Sequence, residues 1–307
     1  MELRQLQYAI QIAAEKNFSR AAEKLHIAQP SLSQQLSKLE KEIGVLLFHR
    51  NTNAVELTHA GSLFIEKAQK VVDMVEQIKQ EMDDISQTRK GRLIVGSLPI
   101  TGAHILPRVL PVFQQRFPEI EIVLVEDSSS RLEQLTANGQ TDLSILSLPL
   151  QEDALSYQPL MEEEIWLALP PQHPLTEAGL NEIDIRQLEQ EPFIVLKKGQ
   201  GFRKITLDLC GQAGFAPRIV FESSNIETVQ SLVAAGMGIA FVPAMVARGQ
   251  WSQIAPAYAK LASDPTRTLV VSHRKGRYLS KAAEAFILTM REVLQAQATA
   301  RNPATEG

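Results

Sequence analysis

Between Phe18 and Leu39 the chain holds two short helices with only a tight turn between them, and that pairing restricts the surrounding fold more than any other segment. Ser19 is a favourable N-cap, and Phe18 ahead of it suits a hydrophobic staple, so a helix is expected to start there. Ala21 and Ala22 are small enough for another helix to approach closely. His26-Ile27-Ala28 interrupts the helical pattern ahead of Gln29-Pro30. Proline fits the first helical position because its absent N–H would be unpaired there anyway. Leu32, Leu36, Leu39 and Ile43 then recur at spacings of four, three and four, which makes one buried stripe. The far face carries Ser31, Gln34, Gln35 and Lys38, with Ser33 and Ser37 beside it. Short polar side chains in a row can reach base edges, so the segment has the layout of a helix-turn-helix with its second helix in a major groove. Ser31, Ser33, Gln34 and Lys38, together with the cation Arg20, are the DNA-facing candidates. The same pattern also serves two helices of an ordinary globular domain with a solvated Ser/Gln face, so the neighbouring segments have to decide.

Those neighbours favour DNA. Leu46-Leu47-Phe48 and Val55-Glu56-Leu57 flank the turn-prone Asn51-Thr52-Asn53 and predict a small β-hairpin. A wing in that place can touch phosphates through Arg50, and Thr58 caps the next helix. From there Phe64, Ala68, Val71, Val75, Ile78, Met82 and Ile85 are spaced 4, 3, 4, 3, 4, 3 with no Pro or Gly between them. Three heptads of apolar residues predict a coiled-coil seam, and hence a dimer, the alternative being a helix packed on its own domain. Charge argues weakly against nucleic acid, since the N-terminal segment is no basic patch. Residues 1–60 carry seven Lys/Arg against six Asp/Glu, within a chain whose net charge is −4. Phosphate neutralisation dominates duplex affinity, so heads this weakly charged need two or more copies acting together.

The chain changes character after Thr88-Arg89-Lys90-Gly91. Leu93 to Val95 predicts a strand, followed by a loop and a helix to Phe117 in which Pro111 implies a kink or a late start. Strands at 120–125 and 143–146 bracket a helix opened by Ser128-Ser129-Ser130 and closed by Gly139. A second cycle has strands at 165–169, 193–196, 219–221 and 239–242, with helices over 202–212 and 225–235. A last strand (268–272) and helix (280–297) return to the first lobe. Alternating strands and helices predict a parallel sheet with crossovers, arranged as two α/β lobes around a cleft. Ligands in such sheets sit at strand carboxyl ends near helix N-termini. The loops expected there hold Ser97, Thr101, Ser128, Ser129, Ser147, Asn225 and Thr228, all neutral. Gln200-Gly201-Phe202-Arg203 adds a cation, Arg203, which suggests a small anionic ligand. Ser129, Ser130 and Asn225 are equally explained as helix caps.

Several classes are absent from the sequence. No apolar run reaches a membrane span, and the N-terminus lacks a basic leader with an apolar block, so a cytoplasmic protein without membrane partners is expected. The single cysteine, Cys210, excludes an internal disulfide and a Cys-rich zinc site. There is no GxxxxGK[ST], HExxH or GxSxG, and no nucleophile, base and orienting group can be assembled. No metal, cofactor or catalytic residue is therefore expected. The competing reading is an enzyme that uses the two-lobed cleft, with the N-terminal helices for assembly.

The residues also resemble a known family, the LysR-type transcriptional regulators of bacteria. The resemblance covers nearly the whole chain. It runs from MELRQLQYAIQIAAEKNFSRAAEKLHIAQPSLSQQLSKLEKEIGVLLFHR through ELTHAG, then HPL at 173–175, QAGFAP at 212–217 and LVAAGMGIAFVP at 232–243. It implies an α/β protein with three parts. Residues 1–60 would be an N-terminal all-α winged helix-turn-helix (the motif itself about 18–37), and 61–90 a long linker and dimerisation helix. Residues 91–300 would be a two-lobed effector domain like a periplasmic binding protein, with one lobe at 91–164 and 267–300 and the other at 165–266. It further implies homodimers and homotetramers on double-stranded promoter DNA, a small-molecule effector, and contact with RNA polymerase. By position, Gln29, Pro30, Ser33 and Gln34 would face DNA, with Arg50 in the wing. Ser97, Pro99, Thr101, Ser128, Ser147 and Phe202 would face the effector, beside Gln200, Arg203 and Asn225 read from the loops. Many relatives carry Arg where this chain has Gln34, and wings more basic than Arg50-Asn51-Thr52-Asn53. Gln pairs with adenine where Arg prefers guanine, so a different base preference and a shallower salt slope are expected.

Overall fold

The computed structural model describes residues 1–51, 54–85, 91–177, 182–247 and 255–301. The chain divides into two compact units. The first contains helices α1 (Leu3–Glu15), α2 (Phe18–Lys24) and α3 (Gln29–Ile43), strands β1 (Phe48–Asn51) and β2 (Ala54–Leu57), and the long helix α4 (His59–Ile85). Its core joins Ala9 and Ile12 of α1, Ala21 and Ala22 of α2 and the α3 stripe Leu32, Leu36 and Leu39 to Leu47 and Phe48. The alanines do what their size allows and let α2 lie close against its neighbours.

The start of α2 corrects the sequence reading. The cap is Asn17, whose Oδ1 accepts from the Ser19 and Arg20 N–H groups at 2.9 and 3.0 Å. Phe18 is the first helical residue, and its ring meets Phe48 edge-on with centroids 6.4 Å apart. β1 and β2 pair antiparallel with Arg50 opposite Val55; Thr52 and Asn53 of the expected turn lie outside the described residues. Thr58 caps α4 as expected, its Oγ1 accepting from Gly61 N–H at 2.8 Å. A Cβ on Gly61 would stand 2.0 Å from the Leu47 carbonyl oxygen, so that position admits only glycine.

α4 keeps part of its expected apolar line exposed and buries the first part of it. Phe64 and Ile65 pack on the core of their own unit and Ala68 is buried. Val71, Ile78 and Met82 of the expected line are exposed, as are Leu63 and Met74 outside it, each at 47–61 %. A helix of 3.6 residues per turn drifts against a strict heptad count, and its first turns are taken up in closing the winged-helix core. The side chain of Ile85 lies outside the described residues.

The second unit begins with β3 (Gly91–Ser97), α5 (Pro99–Arg116), β4 (Ile120–Glu126), α6 (Ser129–Ala137), β5 (Leu143–Ser147) and β6 (Leu155–Leu169). There follow α7 (Pro174–Glu177), β7 (Glu182–Ile183), a 3-10 turn at Ile185–Leu188, β8 (Pro192–Leu196), α8 (Gly201–Gln212), β9 (Arg218–Ser223) and α9 (Ile226–Ala234). It ends with β10 (Ala240–Pro243), α10 (Ala244–Ala247), β11 (Ala257–Leu261), β12 (Thr266–Arg274) and α11 (Lys281–Arg301). The main sheet runs β4-β3-β5-β12-β6-β11-β7, with β10 also on β6, and β8 pairs β9. It is mixed and not wholly parallel. β3 is parallel to β4 and β5, but β12 is antiparallel to both β5 and β6. The chain leaves one lobe along β6 and returns along β12, so these two strands must run in opposite directions.

One core gathers Leu93, Val95, Phe113, Leu269, Phe286 and Met290; the other gathers Leu167, Phe193, Cys210, Ile239 and Phe241. β6 was expected only from Ile165 onward. Its first ten residues pair with β12, and its last five pair with β10 and β11. α5 starts at Pro99, not late, and carries Pro107 and Pro111 inside it. Among the described residues no helix is long and apolar enough to cross a membrane.

Candidate functional site

In the first unit, burial of Leu32, Leu36 and Leu39 fixes the rotation of α3. The opposite side then presents Gln29, Pro30, Ser31, Gln34 and Lys38 to solvent, with Ser33 partly covered. Gln35, expected on that face, turns to α1, where its Oε1 accepts from Gln5 Nε2 at 3.3 Å. Ala28 gives α3 no side-chain cap. The first N–H groups of α3 are therefore available to a phosphate oxygen, an arrangement the helix dipole favours. Lys38 lies 3.8 Å from Glu2, but both are exposed and the pair is worth little. Arg20 donates to the Glu15 carbonyl at 2.9 Å from an exposed position on α2. Arg50 sits on β1; its side chain lies outside the described residues.

A residue that sequence reasoning missed holds the hairpin in place. Glu40 is 5 % exposed, and its Oε1 accepts from the Leu47 and Phe48 N–H groups at 2.8 and 3.4 Å. The wing is thus tied to the helix that carries the polar face. A glutamate next to a buried leucine, Leu39, is the only sign of this in the sequence.

In the second unit a cleft of about 640 Å³ lies between the start of α5 and the group α8, α9 and β10. Of the expected effector residues, Pro99, Gln200, Phe202 and Asn225 line it. Ser97 is fully buried and donates to the Leu98 carbonyl, while Ser128 turns to Asp127. The hydroxyls of Thr101 and Ser147 are buried with no hydrogen-bond partner, outside the cleft lining. Asn225 does cap α9, accepting from Glu227 and Thr228 N–H at 2.7 and 3.3 Å. Arg203 turns aside. Its Nη1 is held by the Leu196 carbonyl and by Glu222 Oε1, both at 2.7 Å.

The cation in the cleft wall is Arg267, which the sequence reading did not single out. Its Nε and Nη2 stand 2.8 and 2.6 Å from Glu163 Oε2, and its Cζ lies 5.3 Å from the centre of the Phe202 ring. Both charged side chains are at most 4 % exposed. Glu163 Oε1 also accepts from Met245 N–H at 2.9 Å. An arginine embedded in the apolar run Thr266–Ser272 was the available signal. Across the mouth, Gly201 N–H donates to Ser129 Oγ at 2.9 Å and Ser130 Oγ donates to the Gly199 carbonyl at 3.1 Å. A Cβ on Gly201 would meet Ser129 Oγ at 3.0 Å, so this close seam between the two lobes favours glycine.

Residues 3–62 match the family described as bacterial regulatory helix-turn-helix protein, lysR family. Residues 86–295 match the LysR substrate binding domain. The HTH-type transcriptional regulator YcgK of Bacillus subtilis (strain 168) is 42 % identical, covering 96 % of this chain and 95 % of its own. A hydrogen peroxide-inducible genes activator of Pectobacterium carotovorum is 31 % identical, covering 96 % and 97 %. Among solved structures, a cysteine-to-aspartate variant of full-length OxyR from Pseudomonas aeruginosa superposes with a TM-score of 0.76 at 29 % identity over 95 % of each chain.

Proposed function

Because the chain belongs to the LysR family of bacterial transcriptional regulators, we propose that it binds promoter DNA through the exposed face of α3 and is controlled by a small molecule held in the cleft of the second unit. It is a DNA-binding regulator, and the reading as a cleft enzyme is set aside by that membership. The observation that carries the DNA reading is the α3 face. Gln29, Ser31, Gln34 and Lys38 stand on one exposed side of a helix whose N-terminus is uncapped, with the hairpin tied beside it through Glu40. The exposed α4 face joins two copies, so that two heads meet a two-fold symmetric site. Leu124 on edge strand β4, at 40 %, and Val220 and Phe221 on β9, at 43 and 41 %, leave further apolar edges through which dimers assemble into tetramers. The effector favours one lobe arrangement, changes how dimers pair, and so alters promoter bending or polymerase contact. A coupling of about 1–3 kcal/mol is sufficient. We place the protein in the cytoplasm, where its promoter is.

Selection of duplexes from a random pool by the full-length protein tests the first half. A symmetric site is expected, with half-sites about one helical turn apart. Gln34→Ala is expected to relax preference at one base pair per half-site, at a cost of about 1–3 kcal/mol. Recovery of no preferred sequence refutes the α3 assignment.

The peroxide response in a relative's name does not extend to this chain through thiol chemistry. Cys210, its single cysteine, is fully buried in α8, and burial pushes the thiol up to about 12. The thiolate is the reactive form, so at neutral pH almost none is present, and no second cysteine exists to close an intrachain bridge. Treating the folded protein with hydrogen peroxide is expected to leave Cys210 unmodified by mass spectrometry and duplex binding unchanged. Oxidation of Cys210 that tracks a change in binding contradicts this.

A further inference from the structure

We propose that the cleft takes an uncharged, ring-bearing molecule with a hydrogen-bonding group, and not a small anion; this rests on the cleft being the effector site. The walls are largely apolar: Leu98 and Ile100 at the start of α5, Leu196 from β8, Phe202 from α8, Ile226 from α9, and Val246. At about 640 Å³ the space falls in the range of small-molecule sites and accommodates one or two rings. Phe202 offers an aromatic surface within it, its ring already neighboured by the Arg267 guanidinium.

The charges decide the class. Among the described lining residues the Lys, Arg, Asp and Glu side chains are Arg267 and Glu227 alone. The charge of Arg267 is offset by Glu163 through two short contacts to one oxygen, with both side chains buried; only Nε makes a hydrogen bond there, and Nη2 is left without one for a neutral acceptor to take. A ligand carboxylate set against Arg267 would also face Glu163 across a low-dielectric gap, and like charges there repel strongly. Glu227 adds a further negative charge, in the first turn of α9, where it offsets the attraction of that helix end for anions. The start of α5 has no side-chain cap, so beyond Pro99, which has no N–H, the Ile100 and Thr101 N–H groups can meet a ligand carbonyl oxygen as well as an anion. Arg203 is held by Glu222 and a carbonyl. Among the described lining residues no Lys or Arg stands without a carboxylate partner.

Neutral hydrogen-bonding groups are present where the charges are not. Tyr258 donates its hydroxyl hydrogen to Gln230 Oε1 at 2.5 Å, which fixes the amide and leaves its nitrogen as a donor for the ligand. Gln200 and Ser231 also line the space. A ring stacked by Phe202, with an amide, hydroxyl or carbonyl reaching Gln230, satisfies both sets of surroundings.

The experiment uses the full-length protein and a panel of matched one- and two-ring amides and carboxylates, such as benzamide with benzoate and 2-naphthamide with 2-naphthoate. Dissociation constants come from calorimetry. Each panel is repeated on Ala103→Trp, which fills the cleft from an exposed position on α5 and disturbs no core. Amides are expected to bind at least 10-fold more tightly than their carboxylate partners, and Ala103→Trp is expected to remove that binding. Carboxylates that bind more tightly and are lost in Ala103→Trp overturn the ligand class while leaving the site intact. Binding that Ala103→Trp does not change overturns the site. Failure of every amide to bind overturns the proposal.

Discussion

Replacing Ile78 by glutamate is expected to convert the assembled protein to a smaller species and to weaken its hold on a duplex by at least about 100-fold. Val71, Met74, Ile78 and Met82 form a line on α4 at spacings of three, four and four, each about half exposed. Burying one such side chain stabilises by about 1.5–3 kcal/mol, and a two-fold axis counts every substitution twice. Glutamate removes that gain and faces its own copy across the seam. The heads cannot make up the loss, because each carries seven cations against six carboxylates and a lone head neutralises few phosphates. Light scattering after gel filtration reads the mass, and a duplex shift assay reads the affinity. Phe64→Ala is the control, since Phe64 packs on its own unit and its loss lowers the melting temperature without splitting the assembly. An Ile78→Glu protein of unchanged mass that still binds refutes the seam.

The phase of that seam shows where reading the sequence stops. Leu32, Leu36 and Leu39 are legible because their neighbours on the helix are also their neighbours in the chain, and the stripe alone orients α3. On α4 the same periodicity is present, but two partners compete for it. The winged-helix core takes Phe64 and Ile65, Ala68 is buried, and Leu63 and Met74, outside the expected line, stand exposed beside Val71, Ile78 and Met82. Only Val71, Ile78 and Met82 belong to both the expected and the observed lines. The cap at Asn17 escaped for a smaller reason, since Asn17 and Ser19 are both good caps two residues apart and the hydrogen bonds choose between them.

In the cleft the limit is of another kind. Pro99, Gln200, Phe202 and Asn225 are turn and cap residues and announce themselves locally. Arg203 looked like the cation of the site because it follows Gly201-Phe202, yet Glu222, nineteen residues on, holds it away. Glu162-Glu163-Glu164 looks like a solvated run. Only the pairing of β6 with β12 sets Glu163 opposite Arg267, which lies 104 residues along the chain. No local pattern encodes that register.

Arg267→Ala is accordingly expected to be among the most damaging single changes to the second unit, at about 3–5 kcal/mol. The mechanism is not the loss of an attraction but the orphaning of Glu163, a carboxylate at most 4 % exposed. Its remaining hydrogen bond, from Met245 N–H, cannot offset a full buried charge. For a unit of this size the loss corresponds to a fall of roughly 6–20 °C in melting temperature, read by calorimetry on the full-length protein. The double variant Glu163→Leu with Arg267→Met discriminates between the two explanations. Two apolar side chains of similar reach remove both charges and are expected to recover most of the stability, short of about 1 kcal/mol for the bond to Met245. If the pair were itself a net source of stability, the double variant would be at least as damaged as the single one. Recovery in the double variant shows instead that the two charges chiefly cancel each other, which is the condition on which an uncharged occupant of the neighbouring cleft depends.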